Sequence, residues 1–344
     1  MQVLEESLKT HVKPTEMKNI IVIFCLLVTG LFYSCDEGNK AVYEPDSVVE
    51  STDSISVYFR ENFLKPYGTA VRWQWVDRYV DDSKRVTPPF RDVCVPMGEF
   101  LKRFWLEPFM ITESGTKFMK DHFPPEIVFV GSKMYNSDGE SITLGYADAG
   151  VRITFTQVNE YDLTNKEWLL LQLRTADHEY GHIIHQRHNL PNGFKEVSPK
   201  NYKSNNWLNL AGDVQASGPK ISREAISLGM VTNYGTSNEN EDFCEILSIY
   251  LTSDKAEFEQ RYLTHEPELT YQKIDADGNP VVDADGNPVM LDPADDAVKM
   301  NEGRDLISIK LNMIKKYYMD NFNVDLDQVR DEIMKRIDEV LNPA

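Results

Sequence analysis

The chain has 344 residues, with 36 Lys and Arg set against 55 Asp and Glu, a formal net charge of −19, and 41% hydrophobic residues. So acidic a chain disfavours nucleic acid and anionic membrane surfaces as partners, while its length suffices for one large two-lobed domain or two small ones. Its four cysteines are too few to define a disulfide framework.

Residues 1–16 are acidic and unlike the start of an export signal, so Met17 is the expected start. Met17-Lys18-Asn19 supplies a short n-region with one positive charge. Residues 20–33 are apolar but too short for a comfortable membrane span, which suits a signal peptide. Leu31-Phe32-Tyr33-Ser34-Cys35 resembles a lipobox. The expectation is therefore a lipoprotein signal over 17–35, lipid on Cys35, and a polar tether over 36–53. The acidic stretch that starts at Asp36 resembles signals that send such lipoproteins to the cell surface.

Residues 54–66, 97–105 and 113–122 read as helices, and 127–130 and 141–146 as short strands. Residues 151–156 alternate apolar and polar, the pattern of a half-buried strand. Thr164-Asn165-Lys166-Glu167 is a capping-box pattern, so a helix is expected to begin within 163–165 and to end before Pro191. Its last turns would carry His178-Glu179-Tyr180-Gly181-His182, an H-E-x-x-H motif. Residues four apart share a helix face about 6 Å apart along the axis, so the two imidazoles can grip one Zn²⁺ from the same side. Glu179 then stands beside the open coordination position, where it can take a proton from water.

Two positions compete for the third ligand. His188 has the spacing of an H-E-x-x-H-x-x-G-x-x-H motif, but His185 occupies the place of the helix-breaking Gly. An unbroken helix carries His188 about 9 Å beyond His182. His185 shares the motif face, yet three imidazoles in one column do not easily close a tetrahedron. Both fit a polar helix end lining the cleft. The other candidate is Glu241, which stands with Glu245 on one face of a helix whose apolar side is Ile246, Leu247, Ile249, Tyr250 and Leu251. Glu241 can ligate, Glu245 can hold a ligand imidazole by its free N–H, and Tyr234 can donate to an oxyanion from the preceding turn.

Residues 191–218 are polar and Asn-rich, a candidate wall of the cleft; 253–264, 301–319 and 325–341 read as helices. The repeat Asp275-Ala-Asp-Gly-Asn-Pro and Asp283-Ala-Asp-Gly-Asn-Pro reads as two turns of a hairpin-like insertion rather than a calcium loop, because the Pro interrupts it and no closing Glu follows. Cys94 and Cys244 could pair, although Cys244 lies on the apolar ligand-helix segment and reads as a buried thiol.

H-E-Y-G-H, followed by Tyr234 and Glu241-Asp242-Phe243-Cys244-Glu245, resembles gluzincin peptidases, whose third-ligand helix reads E-x-F-x-E. With residues 227–232 added, the chain looks like a family of zinc-binding metallopeptidase lipoproteins of Bacteroidetes-type bacteria, import-associated zinc metallohydrolases. The likeness spans about residues 35–344, with its motifs within 151–251. Cys244 stands where that family commonly has a small residue such as Ala. The resemblance implies zinc on His178, His182 and Glu241, with Glu179 as general base and Tyr234 and Glu245 in the supporting roles above. The expected fold is α+β and zincin-like. An upper lobe over 54–190 would hold a small mixed sheet, with 151–156 as its edge strand, and the motif helix. A mostly helical lower lobe over 191–344 would bring Glu241 across the cleft. The expected activity is zinc-dependent hydrolysis of peptide bonds in a peptide or protein, at the outer membrane or cell surface, with the lipid as the only membrane contact. The resemblance also implies partners in a TonB-dependent transporter and its substrate-binding lipoprotein. The alternatives are a His188-ligated peptidase, a non-catalytic nutrient-capture lipoprotein, and a zinc hydrolase of non-peptide amides.

Overall fold

In the computed structural model the described residues are 51–76, 80, 83–135, 142–143, 147–148, 152–210, 221–268, 271–273, 279–291 and 295–343. The expected signal, the lipidated Cys35 and the tether as far as residue 50 lie outside them. Helix α1, Ser54–Phe59, starts where the Asp53 carboxylate accepts from the amides of Ile55 and Ser56, and it runs on through a π-helical turn, Arg60–Leu64, to Tyr67. Helix α2, Arg91–Phe100, continues through Leu101–Leu106 and Glu107–Phe109. It begins six residues before the expected 97. Pro96 sits inside it, and a proline within a helix removes a backbone donor, which is why the sequence reads as broken there. Helix α3, Glu113–His122, has the expected bounds, with Thr112 accepting from the amide of Gly115 at its start.

The sheet that supports the motif helix has four strands in the order β1 (Ala70–Arg72), β2 (Glu126–Phe129), β6 (Arg152–Phe155) and β5 (Ala147–Asp148). The first three are parallel, with Ile127 opposite Ile153 and Phe129 opposite Phe155; β5 joins β6 antiparallel. Two expectations are corrected here. The strand at 151–156 is internal, and the edges of the described sheet are β1 and β5. Nor is it half-buried, for Ile153, Thr154 and Phe155 are all buried. Parallel strands are normally covered on both faces. One face gives Ile127, Phe129, Ile153 and Phe155 to the main core; on the other, Val128 packs with Val130 and Met134 under Val80 and Val86. A separate pair, β3 (Met134–Tyr135) and β4 (Ile142–Thr143), falls where 141–146 was expected as a strand.

Helix α4, Lys166–His188, is the axis of the molecule. Its cap is Asn165, one residue after the expected Thr164; the Asn165 side chain accepts from the amides of Glu167 and Trp168 at 3.1 and 3.2 Å. Trp168 Nε1 donates to Gln157 O and Gln172 Nε2 to Thr156 O, pinning α4 to the end of β6. On the core side, Tyr180 lies edge-on to Trp105, Phe109 and Phe118.

After a 3-10 turn, Ser204–Asn209, come α5 (Arg223–Ser227), α6 (Glu239–Leu251) and α7 (Lys255–Tyr262). The two-stranded pair β7 (Tyr271–Gln272) and β8 (Met290–Leu291) is next, then α8 (Asp295–Phe322) and α9 (Leu326–Leu341). The second Asp-Ala-Asp-Gly repeat is a turn, its Asp283 accepting from the amides of Asp285 and Asn287; most of the first repeat lies outside the described residues. Cys94 and Cys244 are both free and buried, so the possible disulfide does not form. One continuous core runs from Ile55 through α4 and α6 to Ile337.

Candidate metal centre

Helices α4 and α6 pack side by side, and Gly181 permits the contact. A Cβ built there would lie 2.9 Å from Cys244 Sγ and 3.3 Å from Cys244 Cα, too close for any side chain without movement. The two helix faces that meet carry His178 and His182 on one side and Glu241 and Glu245 on the other. Asn238 fixes the start of α6 by accepting from the amides of Asn240 and Glu241, which sets Glu241 in the first turn.

Three ligand-type atoms converge. His178 Nε2 lies 3.1 Å from Glu241 Oε2, His182 Nε2 lies 3.2 Å from the same oxygen, and the two nitrogens are 3.2 Å apart. A regular tetrahedron built on such a triangle has its centre about 1.9 Å from each corner, close to the roughly 2.0–2.2 Å of zinc bonds to imidazole nitrogen and carboxylate oxygen. The residues therefore fit a zinc ion with the fourth position open. The other imidazole nitrogens are also engaged. His178 Nδ1 is 2.7 Å from Glu245 Oε1, and His182 Nδ1 is 2.9 Å from His185 Nε2. With each Nδ1 carrying the proton, both Nε2 lone pairs face the Glu241 oxygen, an arrangement that calls for a cation between them.

The same carboxylates draw positive charge to this point. Burial works against a charged His178, but Glu241 and Glu245 outweigh it and raise its pKa well above the ordinary value. Burial likewise tends to raise Glu241, and His178 and His182 more than offset this, holding the carboxyl well below the usual range. Burial, then the neighbouring His182, pulls His185 down to about 4, so His185 stays neutral as the partner of His182. The side chains of His178, His182 and Glu241 retain 12–14% exposure, so the cluster is not sealed from solvent.

Tyr234 opens a 3-10 turn, Tyr234–Thr236, and its ring stacks on His178 with centroids 5.8 Å apart. Burial, followed by the charge of Glu241, raises the phenol above its ordinary value and keeps it a donor. Glu179 is buried between the ligand positions, close enough for its charge to act on both His178 and Tyr234. His188 is turned away: its Nε2 is 2.8 Å from His122 Nε2, against Phe322.

The roles of three residues here escaped the sequence reading. His185 supports His182, and its position three residues along the same helix face was the available signal. Thr232 donates to Glu245 Oε2 at 2.6 Å and accepts from the Gly235 amide, coupling the Tyr234 turn to His178; it lies in the family-like segment 227–232, which gave it no role. Trp207, from the polar stretch expected to wall the cleft, packs on Tyr234 at 4.9 Å. Residues 211–218 of that stretch lie outside the described residues.

Residues 49–327 match the model of a family described as "Putative zinc-binding metallo-peptidase". Among solved structures, a chain described as "a putative zinc-binding metallo-peptidase from Bacteroides caccae ATCC 43185" is similar at 25% identity and a TM-score of 0.59 over 83% of this chain and 92% of that one. No curated protein matches the chain.

Proposed function

The chain belongs to this putative zinc-binding metallo-peptidase family, and from that premise we propose that it is a gluzincin-type peptidase with His178, His182 and Glu241 as its zinc ligands. The observation that carries this reading is the convergence of His178 Nε2, His182 Nε2 and Glu241 Oε2 at 3.1–3.2 Å, with Glu245 behind His178. Bound zinc supplies a Lewis acid that polarises the scissile carbonyl and lowers the pKa of water. Glu179 takes the proton from the attacking water and delivers it to the leaving amine. Tyr234, protonated and stacked on His178, donates to the oxygen that gains negative charge. Glu245 and His185 fix the two imidazoles in the tautomer that leaves Nε2 free.

The wider setting follows from the sequence. Lipid on Cys35 and the tether after it would hold the domain at the outer membrane or cell surface, and a role in nutrient import rests on family likeness. No helix of the described residues is long and apolar enough to cross a membrane.

The test is zinc stoichiometry of the protein lacking residues 1–35, with Glu241→Ala alongside. About one zinc per chain is expected for a three-ligand site with one open position, lost or much weakened in the variant. Full retention in the variant would move the third ligand elsewhere, and no zinc in either protein would leave a binding lipoprotein as the better account.

A further inference from the structure

Within residues 203–209 only Trp207 and Leu208 are apolar; the others are Lys, Ser and Asn. This segment is tied at both ends to the turn that presents Tyr234. The amides of Lys203 and Ser204 donate to Thr236 O and Ser237 O at 2.6 and 3.1 Å. At the other end Asn233 Nδ2 donates to Leu210 O at 3.2 Å, and the Leu210 amide donates to Trp207 O at 3.2 Å. Ser204 takes φ +48°, a region costly for a residue with a Cβ, and the amide bonds on either side of it hold it there. The 3-10 turn Ser204–Asn209 is therefore a fixed part of the metal centre's surroundings.

What this framework presents is apolar surface. The Trp207 indole meets the Tyr234 ring at 65° with centroids 4.9 Å apart, and Tyr234 stacks on His178. Direct ring contacts thus lead from a metal ligand to Trp207. The indole is half-buried, and the next residue, Leu208, is 64% exposed. Neither belongs to the hydrophobic core, so packing the fold does not account for them. Single exposed apolar residues need no explanation; here two adjoin, held rigidly beside a metal centre. The charges that bear on Tyr234 are those of Glu241, Glu245 and Glu179, which disfavour an acidic group at this wall. In the peptidase reading Tyr234 donates to the scissile carbonyl oxygen, so the cut bond lies at the hydroxyl edge of its ring. A residue flanking that bond is one step of about 3.3–3.6 Å away, and its side chain can reach across Tyr234 to the indole.

We propose that Trp207 and Leu208 determine specificity, forming an apolar subsite for a large aromatic or aliphatic side chain flanking the cut bond. The proposal deepens the peptidase reading and rests on it. A Phe or Leu side chain laid on the indole removes apolar surface of both from water, and an aromatic ring adds an edge or offset contact; an Ala side chain leaves the indole bare.

The zinc-loaded protein is given a proteome-derived peptide library, and the cleavage sites are mapped by mass spectrometry. Phe, Tyr, Trp, Leu and Met should be enriched at one position beside the cut. Two peptides of the best-cut sequence, with Phe or Ala at that position, then give a ratio of kcat/KM values. Phe should be favoured by about tenfold or more, the order that apolar pockets reach. Trp207→Ala should bring the ratio below about threefold, while Trp207→Phe keeps most of it. Leu208→Asn should at least halve it, and this variant decides if Trp207→Ala does not fold, since Leu208 is exposed. The ratio is the readout because a Trp207 that only buttressed Tyr234 would slow both peptides alike. A ratio unchanged in the folded variant, or a library preference for charged or small residues on both sides of the cut, would overturn the proposal. If no peptide is cut, the peptidase reading falls, and calorimetry with acetyl-Ala-Phe-Ala-amide and acetyl-Ala-Ala-Ala-amide decides the surface alone. Binding about tenfold tighter for the Phe peptide, lost in Trp207→Ala, keeps an apolar peptide site; equal binding, or none, removes it.

Discussion

Glu179 and Gly181 show how differently two neighbouring residues of one motif are used. Glu179 has a buried carboxylate whose charge reaches His178 and Tyr234. Glu179→Gln preserves the shape and removes the base, so zinc content should be unchanged while kcat/KM on a cleaved peptide falls by about 10²–10⁴-fold; metal analysis and peptide hydrolysis on one preparation check both halves. Gly181 acts through packing. Gly181→Ala drives a methyl to within 2.9 Å of Cys244 Sγ and should cost about 1–3 kcal/mol, the usual range for overpacking. Urea melts should show part of that returned in the double variant with Cys244→Ala, a coupling expected of groups in contact. That His178, His182, Glu241 and Glu245 would come together was legible because four-residue spacing on a helix leaves one geometry. The roles of His185 and Thr232 were not, because the choice of partner for a second imidazole nitrogen depends on which turn folds back beside it.

Helix α6 is held where Glu241 needs it by a buried ion pair. Lys310 Nζ lies 2.6 Å from Asp242 Oδ2 and also donates to Gly229 O at 3.0 Å, while Tyr202 donates to the same carboxylate at 2.9 Å. Gly229 takes φ +88° there with Leu306 pressed against it, a place with no room for a Cβ. Lys310→Met leaves the Asp242 charge buried without its cation, and a loss of about 3–5 kcal/mol is expected by urea denaturation. Zinc affinity should weaken with it, since Asp242 adjoins Glu241. The long helices were readable from apolar periodicity and caps. The strand at 152–155 was read as half-buried because alternation signals one covered face only when the rest of the chain leaves the other bare. Here Val80 and Val86, some seventy residues earlier, sit over that second face, and a window of a few residues cannot contain them.

At the scale of the molecule, the core does not pass through the metal. It runs from α1 through Trp105, Tyr180 and Phe243 to α9, and the proposed ligands lie at its margin. Removing zinc with a chelator should therefore leave the far-UV circular dichroism unchanged and lower the melting temperature. Restoring zinc to about 100 times its Kd should return roughly 2.7 kcal/mol; a collapse of the dichroism on chelation would show instead that the metal holds the fold. The overall α+β architecture was legible from the order of helices and short strands.

The pairing of one glutamate with each role at the metal has a further result. Glu241 and Glu245 bring two negative charges to a centre whose imidazoles are neutral when they ligate, and a divalent ion cancels them. A monovalent ion in the same place would leave more of that negative charge uncompensated. Glu179 is then the one carboxylate beside the ion whose charge is left over, which is where a proton taken from water would settle.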